Sequence, residues 1–168
     1  MNFPDITDFE SGNWNGWGHS EGISGNLDTE EEGEGENTFW KGVVRLHPGP
    51  NPLPQFRASL KKTFIIQDNE RDDSYSISFN FRVNPLQSDE ATYMSMTFAG
   101  ESDFDYQTAF HFLDANTRPG EWHKAEIEPK KWFIYQDTIR FGVRGFKGEG
   151  SDFRRIEIDN IEIWKADL

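Results

Sequence analysis

Arg154-Arg155-Ile156-Glu157-Ile158-Asp159-Asn160-Ile161-Glu162-Ile163-Trp164 alternates apolar and polar residues with period two, the pattern of a half-buried strand. The alternation breaks once. Ile156 and Ile158 share one parity, while Ile161 and Ile163 share the other. A strand that keeps both halves on one core needs an extra residue at Asp159-Asn160, which predicts a β-bulge there. A bulge frees backbone carbonyls and re-aims a carboxylate, chemistry that a hard cation such as calcium can use.

The same alternation recurs upstream. Tyr75, Ile77, Phe79, Phe81 and Val83 read as the inward face of a strand whose other face is Ser76, Ser78, Asn80 and Arg82. Further strands are expected with Trp40, Val44 and Leu46, with Ala58, Leu60, Phe64 and Ile66, with Met94, Met96 and Phe98, with Phe110 and Phe112, and with Ile139, Phe141 and Val143 on one face each. Another runs from Trp122 to Ile127. No apolar run has helical spacing, and no internal repeat is present. Short strands with turn signals between them predict an all-β chain, a jelly-roll β-sandwich of two antiparallel sheets forming one domain over 1–168.

Between the strands, composition changes. Six carboxylates fall between Asp28 and Glu36, too dense for a core and therefore expected as a solvated loop. Four prolines in residues 47–54 predict an extended loop outside the sheets. Trp14 and Trp17 offer sugar-stacking platforms or plugs for the open edge between the sheets, and packing is the commoner use of large aromatics.

The net charge of −13 disfavours nucleic acid, anionic membranes and polyanionic sugars as partners. Neutral glycans are easier partners. The absence of cysteine excludes disulfides and thiolate metal sites. No signal peptide is visible at Met1-Asn2-Phe3-Pro4-Asp5, and no apolar stretch approaches the roughly 18 residues of a membrane helix.

The stretch Asp8-Phe9-Glu10-Ser11-Gly12, followed by Trp14 and Trp17 and closed by Ile158-Asp159-Asn160-Ile161, resembles the carbohydrate-binding modules of the galactose-binding-like β-sandwich type, such as families 4 and 22. The resemblance implies glycan binding across the outer face of one sheet, without catalysis, in an extracellular or cell-surface setting. It also implies a structural calcium between the first and last strands, away from that face, carried by Glu10 and Asp159 with Asp8 as a weaker candidate. The remaining ligands would be backbone carbonyls.

If the strands near 75–83, 92–99, 106–113 and 138–146 are neighbours in one sheet, their outward residues form a single surface. Asn80, Arg82, Tyr93, Gln107, His111, Arg140 and Arg144 are the candidate ligand-binding residues there, with Ser95 and Thr97 among them. Fork-shaped and planar donors suit adjacent hydroxyls, and an aromatic ring suits the apolar side of a sugar. Gly142, between two arginines, leaves room for a groove. Solvent exposure accounts equally well for the Ser, Thr and Asn positions, and the arginines have ion pairing as a competing role. Trp132 and Tyr135 are candidate rim residues.

Two other readings stay open. A jelly-roll polysaccharide lyase or glycosidase would use Tyr93 or His111 as base and an arginine to neutralise a uronate. The Tyr-x-Lys-Ala-Gly-x-Tyr type of strand that alginate lyases of this shape carry is absent. Nor is there a Gly-x-Ser-x-Gly elbow, a His-Glu-x-x-His pair or a phosphate loop. A structural or protein-interaction module of a phage or secretion appendage is the third reading.

Overall fold

The computed structural model describes residues 3–19, 24–45, 55–83, 94–99, 109–112, 118, 120–134, 137–145 and 153–167, with the backbone alone at 24, 43–45, 55–59, 94–99, 109–112, 140–145 and 153–155. Eleven strands follow in chain order among these residues: β1 (Asp5–Thr7), β2 (Gly18–His19), β3 (Ser24–Glu32), β4 (Gly35–Arg45), β5 (Gln55–Thr63), β6 (Tyr75–Val83), β7 (Met94–Ala99), β8 (Ala109–Phe112), β9 (His123–Lys130), β10 (Thr138–Gly145) and β11 (Phe153–Lys165). The only helical elements among the described residues are two 3-10 turns, Glu10–Gly12 and Asp68–Glu70.

The hub is β11. It pairs with β4 along its first half, with β1 along its second, and with β6 along both. Its register slips between Asp159 and Glu162, where Asn160 takes a left-handed φ of 46°. The bulge therefore lies where the broken alternation puts it, and Ile156, Ile158, Ile161 and Ile163 all face the core, fully buried. A six-stranded sheet follows in the order β3-β4-β11-β6-β9, with β1 added against β11. The second sheet runs β2-β5-β10-β7-β8, and every pairing in both is antiparallel. Between them lies a core of Trp40, Leu60, Phe79, Phe81, Trp132, Phe133 and Ile139 with the four isoleucines of β11. This is the two-sheet sandwich expected from the sequence.

Aromatic residues close the edges. Trp17 is buried in the core, its indole N–H donating to Thr7 Oγ1 at 3.1 Å, and Trp14 packs against the same cluster. Both serve packing. Trp40 lies flat over Gly42 and Gly25: a Cβ at Gly42 would stand 2.1 Å from its ring. His19, on the other sheet, accepts the Trp40 indole N–H at Nε2 (3.1 Å). Lys62 ties the sheets together from β5, donating to both carboxylate oxygens of Asp5 on β1 at 2.9 and 2.7 Å. Trp132 is a core residue rather than a rim residue, with its N–H donated to the Tyr75 carbonyl.

The acidic stretch differs from its expected form. Asp28 to Glu32 belong to β3, and Gly33-Glu34 turn the chain into β4, so the segment is a hairpin and not a loop. Carboxylates survive in these strands because most point into water, while Asp28 meets Lys41 at 2.9 Å and Glu30 meets Arg82 at 2.7 Å. The proline run at 47–54 lies outside the described residues.

Candidate functional site

The expected single surface does not form. β6 belongs to the six-stranded sheet, whereas β7, β8 and β10 belong to the five-stranded one. Asn80 and Arg82 are thus separated from Arg140, Arg144 and His111 by the thickness of the sandwich. Alternation fixes which face of a strand is outward, but strand order is a long-range choice that alternation does not encode. Tyr93 and Gln107 lie outside the described residues.

Arg82 occupies the outer face of the six-stranded sheet in a closed cluster. Its guanidinium carbon lies 5.1 Å from the Phe39 ring centroid and 4.5 Å from that of Trp122. Nη1 donates to Glu30 at 2.7 Å, Nε donates to Glu157, and the Trp122 indole N–H donates to Glu30 at 2.7 Å. Burial opposes ionisation of Glu30, but the hydrogen bonds from Trp122 and Arg82 and the guanidinium charge hold its carboxyl below the ordinary range. Burial works against the Arg82 charge as well, and the hydrogen bonds to Glu157 and Glu30 outweigh it. These donors are already engaged within the protein.

The five-stranded sheet is described at its backbone, and its register sorts positions into rows, because directly opposed residues of antiparallel strands share a face. One row runs Phe56, Arg144, Ser95, Phe112 across β5, β10, β7 and β8. The next runs Ala58, Gly142, Thr97, Phe110, and a third Lys61, Arg140, Ala99. All three have the parity opposite to Ile139, whose side chain is buried, and Lys61 is exposed. By register, the rows of Arg140, Gly142 and Arg144 therefore have the outer parity of this sheet, with phenylalanine positions towards its two margins.

Two sequence expectations are corrected by this register. His111 falls opposite Met96, and Met96 opposite Val143, so His111 belongs to the core-parity row and not to that of Arg144. On β5, three residue steps oppose two on β10 between Arg140 and Gly142, a bulge that moves Ala58 to the opposite face from Leu60. The register places Phe56 and Phe112 in the row of Arg144 and Phe110 in that of Gly142, which the alternation alone did not show. The assumption that phenylalanine faces inward assigned β8 the wrong parity. The β5 bulge leaves no trace in the alternation: Leu60, Lys62, Phe64 and Ile66 are buried in unbroken period two with exposed Lys61, Thr63 and Ile65.

A second cluster sits beside the bulge of β11. Asp159 is 2 % exposed and accepts from the Asn160 backbone N–H at 2.7 Å. Its carboxyl is pushed up to about 6, first by burial and then by the charges of Glu10 and Asp8, against hydrogen bonds from Asn160 and Asn37. Glu10 accepts from the Thr38 backbone N–H at 2.8 Å, and the Thr38 hydroxyl reaches its other oxygen at 3.3 Å. Glu10 and Asp159, distant in sequence, are therefore brought to one corner. Among the described residues no three His, Cys, Asp or Glu side chains group as a metal site.

No protein-family model matches the chain. No curated protein matches it in sequence. Solved structures do match in shape. The second family 22 xylan-binding domain of Paenibacillus barcinonensis Xyn10C superposes with a TM-score of 0.60 at 15 % identity, covering 96 % of this chain and 99 % of that one. The C-terminal family 22 module of Clostridium thermocellum Xyn10B gives 0.59 at 13 %, over 96 % and 92 %. The fold is that of the carbohydrate-binding modules. It matches the β-sandwich type expected from the two ends of the chain, and identities this low speak to fold alone. An endo-β-1,4-glucuronan lyase from the fungus Trichoderma reesei gives 0.55 at 9 %, over 96 % and 95 %. The module fold therefore carries both binding and lyase chemistry, and function rests on the site.

Proposed function

We propose that the protein is a non-catalytic carbohydrate-binding module that takes a neutral glycan across the outer face of its five-stranded sheet. The observation that carries this reading is the convergence of rows: Arg140 and Arg144, separated by Gly142, flanked by the Phe56, Phe110 and Phe112 positions. Arginine forks suit pairs of adjacent hydroxyls, small residues leave a shallow groove, and phenylalanine rings suit the apolar side of a pyranose. The charge of −13 works against polyanionic chains. Solved structures of this fold that are named xylan-binding domains make neutral polysaccharides of that kind the first ligands to try.

The lyase reading is less well supported. By register His111 belongs to the row of Met96 and Val143 and not to a row of Arg140 or Arg144, which separates one of the two candidate bases from those cations. The test is an array of neutral and acidic glycans followed by calorimetry. Binding to one neutral series without turnover, reduced about 10- to 100-fold in Arg144→Ala as loss of a charge-assisted hydrogen bond implies, is the expected result. An unsaturated product absorbing in the ultraviolet would instead establish lyase activity.

A structural calcium at the Asp159 corner belongs to the same proposal. The chemistry of the corner fits a hard cation: a buried carboxylate, Glu10 and Asp8 acting on it, an Asn side chain, and a bulge that frees carbonyls. The side chains supply too few donors alone, so backbone oxygens complete the set. Bound there, calcium would neutralise the mutual repulsion and fasten the 3-10 turn Glu10–Gly12 to β11. Added calcium is expected to raise the melting temperature of the wild type and leave Asp159→Asn unchanged.

A further inference from the structure

On the opposite face of the sandwich, the outer face of the six-stranded sheet carries a groove of about 360 Å³. Its cause is a contrast in side-chain size between neighbouring strands. The central strand β6 contributes Ser76 and Ser78, which are small and half-buried. On one side, β11 sets Trp164 directly opposite Ser76 and Glu162 directly opposite Ser78. On the other, β9 sets Glu126 opposite Ser78, and its irregular pairing between Tyr75 and Ile77 brings Glu128 and Pro129 to the wall. Long side chains flanking short ones make a trough running along β6, with a volume at the lower end of small-ligand sites.

Trp164 is the unusual member. It is 43 % exposed, although the sandwich buries Trp17, Trp40 and Trp132. Its indole N–H donates to Glu162 Oε2 at 3.0 Å, so the ring is held in place while its hydrocarbon surface stays open. A fixed, exposed indole beside serine hydroxyls and carboxylate oxygens is the combination that takes a hydroxyl-bearing ring: carbon–hydrogen faces on the indole, hydroxyls to the oxygens. Three carboxylates and one lysine line the trough, a charge pattern that excludes anions. Of the three carboxylates, Glu126 is paired with Lys124 at 3.0 Å and Glu162 holds the indole, so two are already engaged.

We infer that this groove is a second glycan site, taking a short stretch of a neutral oligosaccharide with one ring stacked on Trp164. The inference extends the reading of the protein as a glycan binder, and places two binding faces on opposite sides of one sandwich. A module built so would bridge two polysaccharide chains.

The test follows the Trp164 indole N–H by nuclear magnetic resonance while xylohexaose, cellohexaose and a mannan hexamer are titrated in turn. The proteins are the wild type, Arg144→Ala, Trp164→Ala and Ser78→Arg, the last filling the trough. One hexamer is expected to shift the Trp164 signal in both the wild type and Arg144→Ala. Ser78→Arg is expected to weaken that shift at least ten-fold, and calorimetry of Trp164→Ala is expected to lose the binding that Arg144→Ala retains while the five-stranded face keeps its affinity. Binding that abolishes with Arg144→Ala and never moves Trp164 would overturn the second site and leave the first intact. Binding confined to Trp164 would support this groove and overturn the other face. No response to any hexamer would overturn both readings. A response to tetralysine alone would replace the sugar by a cationic partner.

Discussion

Asp159 carries the clearest pH signature at the scale of single residues. Its carboxyl is raised to about 6 from an ordinary 3.8, so the folded protein holds that proton more tightly than the unfolded chain does. Stability is therefore gained as pH falls from about 6 towards 4, and above 6 the buried charge costs on the order of 1–3 kcal/mol. Asp159→Asn is expected to stabilise the metal-free protein by that amount at pH 8 and to do little at pH 4, as read by urea unfolding in a chelator. An equal effect at both values would mean that ionisation is not the cause. Arg82 is a second case. A lysine cannot serve Glu30 and Glu157 with one planar fork while stacking between Phe39 and Trp122. Arg82→Lys is expected to lower stability by about 1–3 kcal/mol.

At the scale of elements, the two sheets are held in register by contacts that tolerate little change. Gly42 leaves the floor on which Trp40 lies, and a methyl group there would overlap the ring. Gly42→Ala is expected to destabilise by about 1–3 kcal/mol, with a change in near-ultraviolet circular dichroism as the indole is displaced. The Lys62–Asp5 pair crosses between sheets with side chains only 10 % and 12 % exposed. Lys62→Ala strands a buried carboxylate and is expected to cost about 3–5 kcal/mol, whereas Lys62→Met with Asp5→Leu should recover most of it. If the double variant is as unstable as the single one, the pair supplies more than mutual neutralisation. At the bulge of β11, Asn160 holds a left-handed φ of 46°, which a β-branched residue resists. Asn160→Val is expected to cost about 1–2 kcal/mol and Asn160→Gly close to nothing.

For the whole molecule, the decisive quantities are net charge and the separation of two outer faces. A neutral ligand releases no counterions on binding. Affinity for it is therefore expected to change less than about two-fold between 50 and 500 mM salt, a range over which exposed charges become screened. A steep salt dependence in calorimetry would point instead to a charged partner. The two faces also differ in what their arginines can do. Arg82 is closed into ion pairs and aromatic stacking, whereas the rows of Arg140, with Lys61 and Ala99, and of Arg144, with Phe56, Ser95 and Phe112, hold no carboxylate position and border the row of Ala58, Gly142 and Thr97. The proposed site follows from that difference, not from the number of arginines.

The sequence by itself determined the all-β class, most of the strands, the inward face of β6, the packing role of Trp14 and Trp17, and the bulge at Asp159-Asn160. These are local consequences of period-two patterning, where each side chain reports its own face. Glu10 and Asp159 were legible as a pair because both ends of the chain carry family-like residues. The tertiary structure alone decided which strands share a sheet. It put the strand of Asn80 and Arg82 in a different sheet from those of Arg140 and Arg144, placed His111 in the row of Met96 and Val143, and placed Phe56, Phe110 and Phe112 in the rows of Arg144 and Gly142. It also made the groove beside Trp164 from strands distant in sequence. The physical reason is that strand order and bulge register are set by which hydrogen-bonded edges meet across the fold, and the alternation of a single strand is the same whatever its neighbour.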